Sequence, residues 1–83
     1  MTKILNSYAA VFDYILENYK YSIQYETNMK IENIIEEMGQ RGITSVDFYS
    51  KFEIHSDSRW LYWIGKLYFK TEEDLIEFKL RFL

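Results

Sequence analysis

The chain has 83 residues, no Cys, no Pro and one His, and its 10 Lys+Arg against 13 Asp+Glu leave a net charge of −3. The missing residues exclude a disulfide framework, a thiolate nucleophile, a zinc knuckle and a His-based metal cluster. The acidic balance disfavours duplex binding, which rests on a basic excess, and the length allows one domain, residues 1–83, with a modest core.

Residues 2–18 carry apolar side chains at Ile4, Leu5, Tyr8, Val11, Phe12, Ile15 and Leu16. This stripe predicts an amphipathic N-terminal helix, with Thr2 as its N-cap. The period then changes to two. Tyr19, Tyr21, Ile23 and Tyr25 alternate with Lys20, Ser22, Gln24 and Glu26, which predicts a half-buried strand. Asn28 is a suitable N-cap for a second helix, in which Ile31, Ile34, Ile35 and Met38 share a face. Glu37 and Arg41 stand at the i, i+4 spacing of a helix-surface ion pair, and Gly39 or Gly42 is the natural stop.

Ile43 to His55 alternates again and predicts a strand, with Val46, Phe48, Phe52 and Ile54 on one face. Ser56-Asp57-Ser58-Arg59 reads as a turn, and Trp60 to Lys70 as a further strand. Segregating apolar from polar side chains favours a hairpin that pairs residues whose numbers sum to 115, so that Ile54 faces Leu61 and Phe52 faces Trp63. Thr71-Glu72-Glu73-Asp74 opens the last helix with a capping box. The tail Phe78 to Phe82 also alternates and leaves a final short strand as the rival reading. The expected fold class is α+β: an N-terminal helix followed by a ferredoxin-like β-α-β-β-α unit around a three-stranded antiparallel sheet.

No constellation of nucleophile, base and orienting group is apparent, and the Gly residues do not build a phosphate loop. The protein is therefore expected not to be an enzyme and to need no cofactor or metal. The informative feature is the outer face of the predicted hairpin. Tyr49, Lys51, Trp60, Tyr62, Ile64, Lys66 and Tyr68 fall on it, opposite a core face that would hold Phe12, Tyr21, Phe48, Phe52, Trp63, Phe69 and Phe78. Three readings stand side by side. The first helix buries this face, the face binds a protein partner or a second copy, or it stacks single-stranded nucleic acid on its aromatics and Lys side chains. No stretch of about 18 apolar residues or apolar leader segment is seen, so a cytoplasmic location without a membrane partner is expected.

The stretch L-Y-F-K-T-E-E-D-L-I-E-F-K-L-R-F at 67–82 resembles the end of small accessory proteins of large tailed bacteriophages. That resemblance implies a host-takeover or counter-defence type of protein. Such a protein binds a host factor, such as a defence, toxin or regulatory protein, and inhibits or redirects it. The alternative function is an RNA or single-stranded nucleic-acid binding repressor that uses the aromatic and Lys side chains of the sheet face.

Overall fold

A computed structural model describes residues 2–45 and 51–83. In chain order the elements are β1 (Thr2–Leu5), α1 (Tyr8–Asn18), β2 (Tyr21–Gln24), α2 (Ile31–Met38), β3 (Ile43–Ser45), β4 (Phe52–His55), β5 (Trp60–Trp63), β6 (Lys66–Phe69) and α3 (Glu72–Phe82). The class is α+β, with two small antiparallel sheets in the orders β1-β4-β3 and β2-β6-β5. The expected faces of Val46, Phe48 and Tyr49 lie outside the described residues.

The helices begin where side chains can satisfy their free N–H groups. The α1 helix starts six residues later than expected. Ser7, not Thr2, is its N-cap, and its Oγ accepts the Ala10 N–H at 3.1 Å. The residues ahead of it form β1, paired antiparallel to β4 with Leu5 opposite Phe52. A four-residue strand has little preference of its own, so a partner strand decides its state. The α2 helix opens at Lys30 without a side-chain cap and closes on Gly39 at φ 91°. Asn28 is therefore not its cap. The α3 helix follows the capping box as expected, with Thr71 Oγ1 accepting the Asp74 N–H at 3.1 Å. The alternating tail is helical to Phe82.

The predicted hairpin is replaced. The turn after His55 forms, with the Ser58 N–H bonded to the His55 carbonyl at 3.0 Å. The strands on its two sides then enter different sheets: β4 pairs with β1 and β3, and β5 pairs with β6. The two ends of 43–55, read as one strand, are antiparallel neighbours. Residues 60–70, read as one strand, are a hairpin with the two-residue loop Ile64-Gly65. Both loop residues have positive φ, 43° and 79°, the backbone that matches the twist of a tight hairpin. Pairing across this loop joins residues whose numbers sum to 129, Trp60 with Phe69 and Tyr62 with Leu67. Even positions before the loop therefore share a face with odd positions after it. A ferredoxin-like unit is not confirmed, because the expected strands lie in separate sheets.

The β2-β6-β5 sheet is the centre of the molecule, and both its faces are packed. On one, Trp60, Leu67 and Phe69 meet Met29, Ile34 and Met38 at α2, together with Phe78 of α3. On the other, Leu61 and Trp63 meet Val11 and Ile15 of α1, Tyr19, and Ile43, Phe52 and Ile54 of the second sheet. The two sheets are joined at Gly42. Its N–H bonds the Trp60 carbonyl at 3.0 Å, and its own carbonyl accepts the His55 N–H at 2.8 Å. A Cβ at Gly42 would lie 2.6 Å from the Trp60 oxygen, so only glycine fits this junction. Tyr19 bridges the same region. It is buried and donates its hydroxyl to the Ser58 carbonyl at 2.8 Å, and burial, together with the charges of Tyr14, Asp57 and Asp74, raises its pKa well above that of a free tyrosine. Among the described residues no helix is long and apolar enough to cross a membrane.

Candidate functional site

The seven residues assigned to the outer hairpin face separate in the structure. Trp60 is the main correction. It is fully buried against α2 and α3, and its indole N–H bonds the Gly39 carbonyl at 2.9 Å. It is a core residue and offers nothing to a partner. Tyr62 lies on the same face, half-buried and edge-on to Tyr25 at 5.0 Å between centroids. Lys66 and Tyr68 turn to the opposite face because of the loop at Ile64-Gly65, where Lys66 is exposed and Tyr68 packs partly against the α1 core. Lys51 is exposed and lines neither hollow described below. Tyr49 lies outside the described residues.

What the fold brings together is a groove along the α1 side of the β5-β6 hairpin. An apolar stripe covers roughly 100° of a core-facing helix, and α1 carries a wider one. Val11 and Ile15 are buried, whereas Tyr8, Phe12 and Leu16 remain 58%, 49% and 58% exposed. Phe12, and likewise Tyr21, are thus not core residues. Tyr8, Ala9 and Phe12 form one wall of a hollow of about 460 Å³, opposite Trp63, Ile64, Lys66 and Tyr68. Trp63 sits inside it, edge-on to Phe52 with centroids 5.2 Å apart. The pairing of Phe52 with Trp63 expected from the hairpin register is therefore real as a contact. It runs through the core between two sheets and not along a ladder.

A second hollow of about 320 Å³ lies on the other side of Ile64. It shares Tyr8, Trp63 and Ile64 with the first and adds Arg41, Thr44 and Tyr62 among its walls. Arg41 was expected to pair with Glu37 along a helix. The helix ends at Met38, and Glu37 pairs with Arg81 of α3 instead. Arg41 forms a parallel bridge with Trp60 through its backbone, and its Nε is buried with no hydrogen-bond partner. A buried donor left unpaired costs about 1–3 kcal/mol.

Ile64 stands between the two hollows and is 74% exposed. It has φ 43°, a region that is costly for a β-branched residue. Arg59, near the other end of the sheet, is held protonated by hydrogen bonds to Asp74, at 2.8 Å, and Glu77, at 2.7 Å. That network staples α3 to the sheet and leaves Arg59 no free role. Among the described residues no group of three or more His, Asp or Glu is arranged to hold a metal ion.

Of the residues singled out in the sequence, Tyr62, Ile64, Lys66 and Tyr68 line one or other hollow, where Tyr8, Phe12, Trp63 and Arg41 were not expected. The available signal was Gly65. Glycine inside an alternating segment marks a bulge or a turn, and a two-residue turn there exchanges the faces of all residues beyond it. No family model matches the chain, and no curated protein or solved structure is found similar to it.

Proposed function

We propose that the protein is a small non-enzymatic binding module that docks an apolar segment of a protein partner in the groove between α1 and the β5-β6 hairpin. The observation that carries this reading is Ile64. A two-residue hairpin loop of this type is best served by Asn-Gly, yet the first position holds a large apolar residue. Ile64 is strained by its positive φ and 74% exposed, between two hollows. Strain at an exposed apolar residue points from geometry to function. Trp63 and Tyr8 supply the rigid aromatic area that anchors interfaces, and the fold beneath them is closed.

In this reading the partner is a host protein that is inhibited or redirected, in keeping with the likeness of residues 67–82 to phage accessory proteins. The protein acts by stoichiometric occlusion. The scaffold we propose is a ferredoxin-like unit short of its last strand, built from β2, α2, β5, β6 and α3 with β3 and β4 inserted.

Ile64→Asn tests the reading. It relieves the loop and removes the apolar tip together. The variant is expected to melt at a higher temperature than the parent and to lose the partner in affinity capture followed by mass measurement. A variant that is more stable and still captures the same partner equally well refutes the groove. Capture that disappears on nuclease treatment favours nucleic acid instead, and a doubled mass of the isolated chain favours self-association.

A further inference from the structure

We propose that the hollow around Arg41 is a carboxylate receptor, so that the groove takes an apolar peptide segment with a carboxylate at one end. This rests on the docking reading above and adds the chemistry of the occupant. Arg41 is held by its backbone bridge to Trp60 at the junction of the two sheets, so its position is set by the core and not by a flexible loop. Its Nε is buried and unpartnered, and no ion pair to it forms among the described residues, since the acid at helical spacing, Glu37, is taken by Arg81. With Nε enclosed by the protein, a carboxylate in the hollow would meet the terminal N–H groups of the guanidinium, which present two parallel donors.

The surroundings suit such an occupant. Among the described residues that line the two hollows, the charged side chains are Arg41 and Lys66, both cationic. They flank an apolar groove on a chain whose net charge is −3. Cations gathered in the groove of an acidic protein are complementary to an acidic ligand. Two cations around a mostly apolar lining fit a peptide with one or two carboxylates better than a polyphosphate strand, which needs a cation for each of several phosphates. The two hollows adjoin, with Tyr8, Trp63 and Ile64 in the walls of both, so an apolar side chain beside Trp63 and a carboxylate at Arg41 can belong to one short segment.

The test is a nuclear magnetic resonance titration of the full chain with three probes. These are N-acetyl-Leu-Phe with a free carboxylate, the same dipeptide as its C-terminal amide, and N-acetyl-Leu-Phe-Glu-amide. Shifts of the Trp63 indole and the Ile64 methyls report the groove, and the Arg41 Nε–H reports the carboxylate. The expected result is that the amide binds the groove weakly. One or both acids should bind about tenfold more tightly, as a charge-assisted bond implies, and should move the Arg41 signal. The stronger acid tells a chain terminus from an acidic side chain.

Arg41→Gln should abolish the tenfold preference, so that the acids and the amide bind alike. Should that variant fail to fold, Arg41→Lys, which keeps the charge but loses the fork, should lose most of the preference. Equal affinity of acids and amide overturns the carboxylate receptor and leaves the docking groove standing. Absence of any shift at Trp63 and Ile64 overturns both. Displacement of the acids by a deca-thymidylate at lower concentration, or a dimer mass with these signals buried, overturns the receptor in favour of nucleic acid or a second copy.

Discussion

The two faces of the β2-β6-β5 sheet share one hairpin, Trp60 to Phe69, and they end differently. On the α2-α3 face, Trp60, Leu67, Phe69 and Phe78 are completely buried. Two helices cover that face, and α3 is tied down by Arg59 to Asp74 and Glu77 and by Arg81 to Glu37. On the other face one helix and a small second sheet share the task. They bury Leu61 fully but leave Tyr8, Phe12 and Ile64 around an open groove. Both faces have ample apolar side chains. What separates them is the width of the cover, so surplus apolar surface stays exposed where a single helix has to span two sheets.

The comparison can be broken most severely at the closed face. Trp60→Ala removes the largest buried side chain and its bond to the Gly39 carbonyl. The expected cost is about 3–5 kcal/mol, a large part of the stability of so small a domain. Phe12→Ala on the open face should cost less than about 0.5–1 kcal/mol. Urea denaturation of the two variants checks the contrast, and equal losses would refute the distinction between the faces.

The junction of the two sheets is the next point of attack. Gly42→Ala sets a methyl 2.6 Å from the Trp60 oxygen and 3.0 Å from the Leu61 Cβ. Overpacking of this kind costs about 1–3 kcal/mol. Because Gly42 joins the halves, the loss should appear in hydrogen exchange as weakened protection of β5 and of β4 alike. Loss confined to one sheet would show that the halves are not coupled there.

Tyr19→Phe is a smaller change. It removes the hydroxyl bonded to Ser58 and should cost about 1–2 kcal/mol. Its pH signature is more specific. The folded pKa lies above the ordinary value of 10.0, so the folded state holds this proton more tightly than the unfolded state does. The contribution is full below about pH 10 and is lost as pH rises beyond it. Thermal melts between pH 8 and 11 should show a decline in the parent that is shallower in the variant. A variant with an equal slope would show that Tyr19 is not the group responsible.

The smallest effect, and the sharpest for function, is Ile64→Asn. It is expected to stabilise by about 1 kcal/mol, since the αL region costs a β-branched residue about that much more than Asn. A gain in stability paired with a loss of binding is an outcome that damage to the core cannot produce.

The parts that were legible from residues alone were those whose signals are local. Helix α3 follows from Thr71 and the acids behind it, α2 from Ile34 and Met38 one turn apart and Gly39 at its end, and the middle of α1 from Val11 and Ile15. The hairpin at Ile64-Gly65 was hidden because Ile at its first position imitates a continuing strand. One unrecognised turn sent Trp60 to the wrong face, whereas Trp63 is a core residue as expected and lines the groove as well. The candidate site was legible for Tyr62, Ile64, Lys66 and Tyr68, which lie close together in the chain. It was not legible for Tyr8, Phe12 and Arg41, which reach the site from α1 and from the end of the α2-β3 connection.

By itself the amino-acid sequence determined an α+β chain with three helices, one with its N-cap Thr71 and one with its closing Gly39 where expected, and an aromatic content beyond what one core absorbs. Periodicity and capping act over a few residues and need no partner. Only the tertiary structure decided that Thr2–Leu5 is a strand, that β4 and β5 part into two sheets at Gly42, and that the excess aromatics gather beside α1. Strand pairing and register are contacts between distant segments. In strands of three or four residues they are selected by the cores they close and not by the residues that form them.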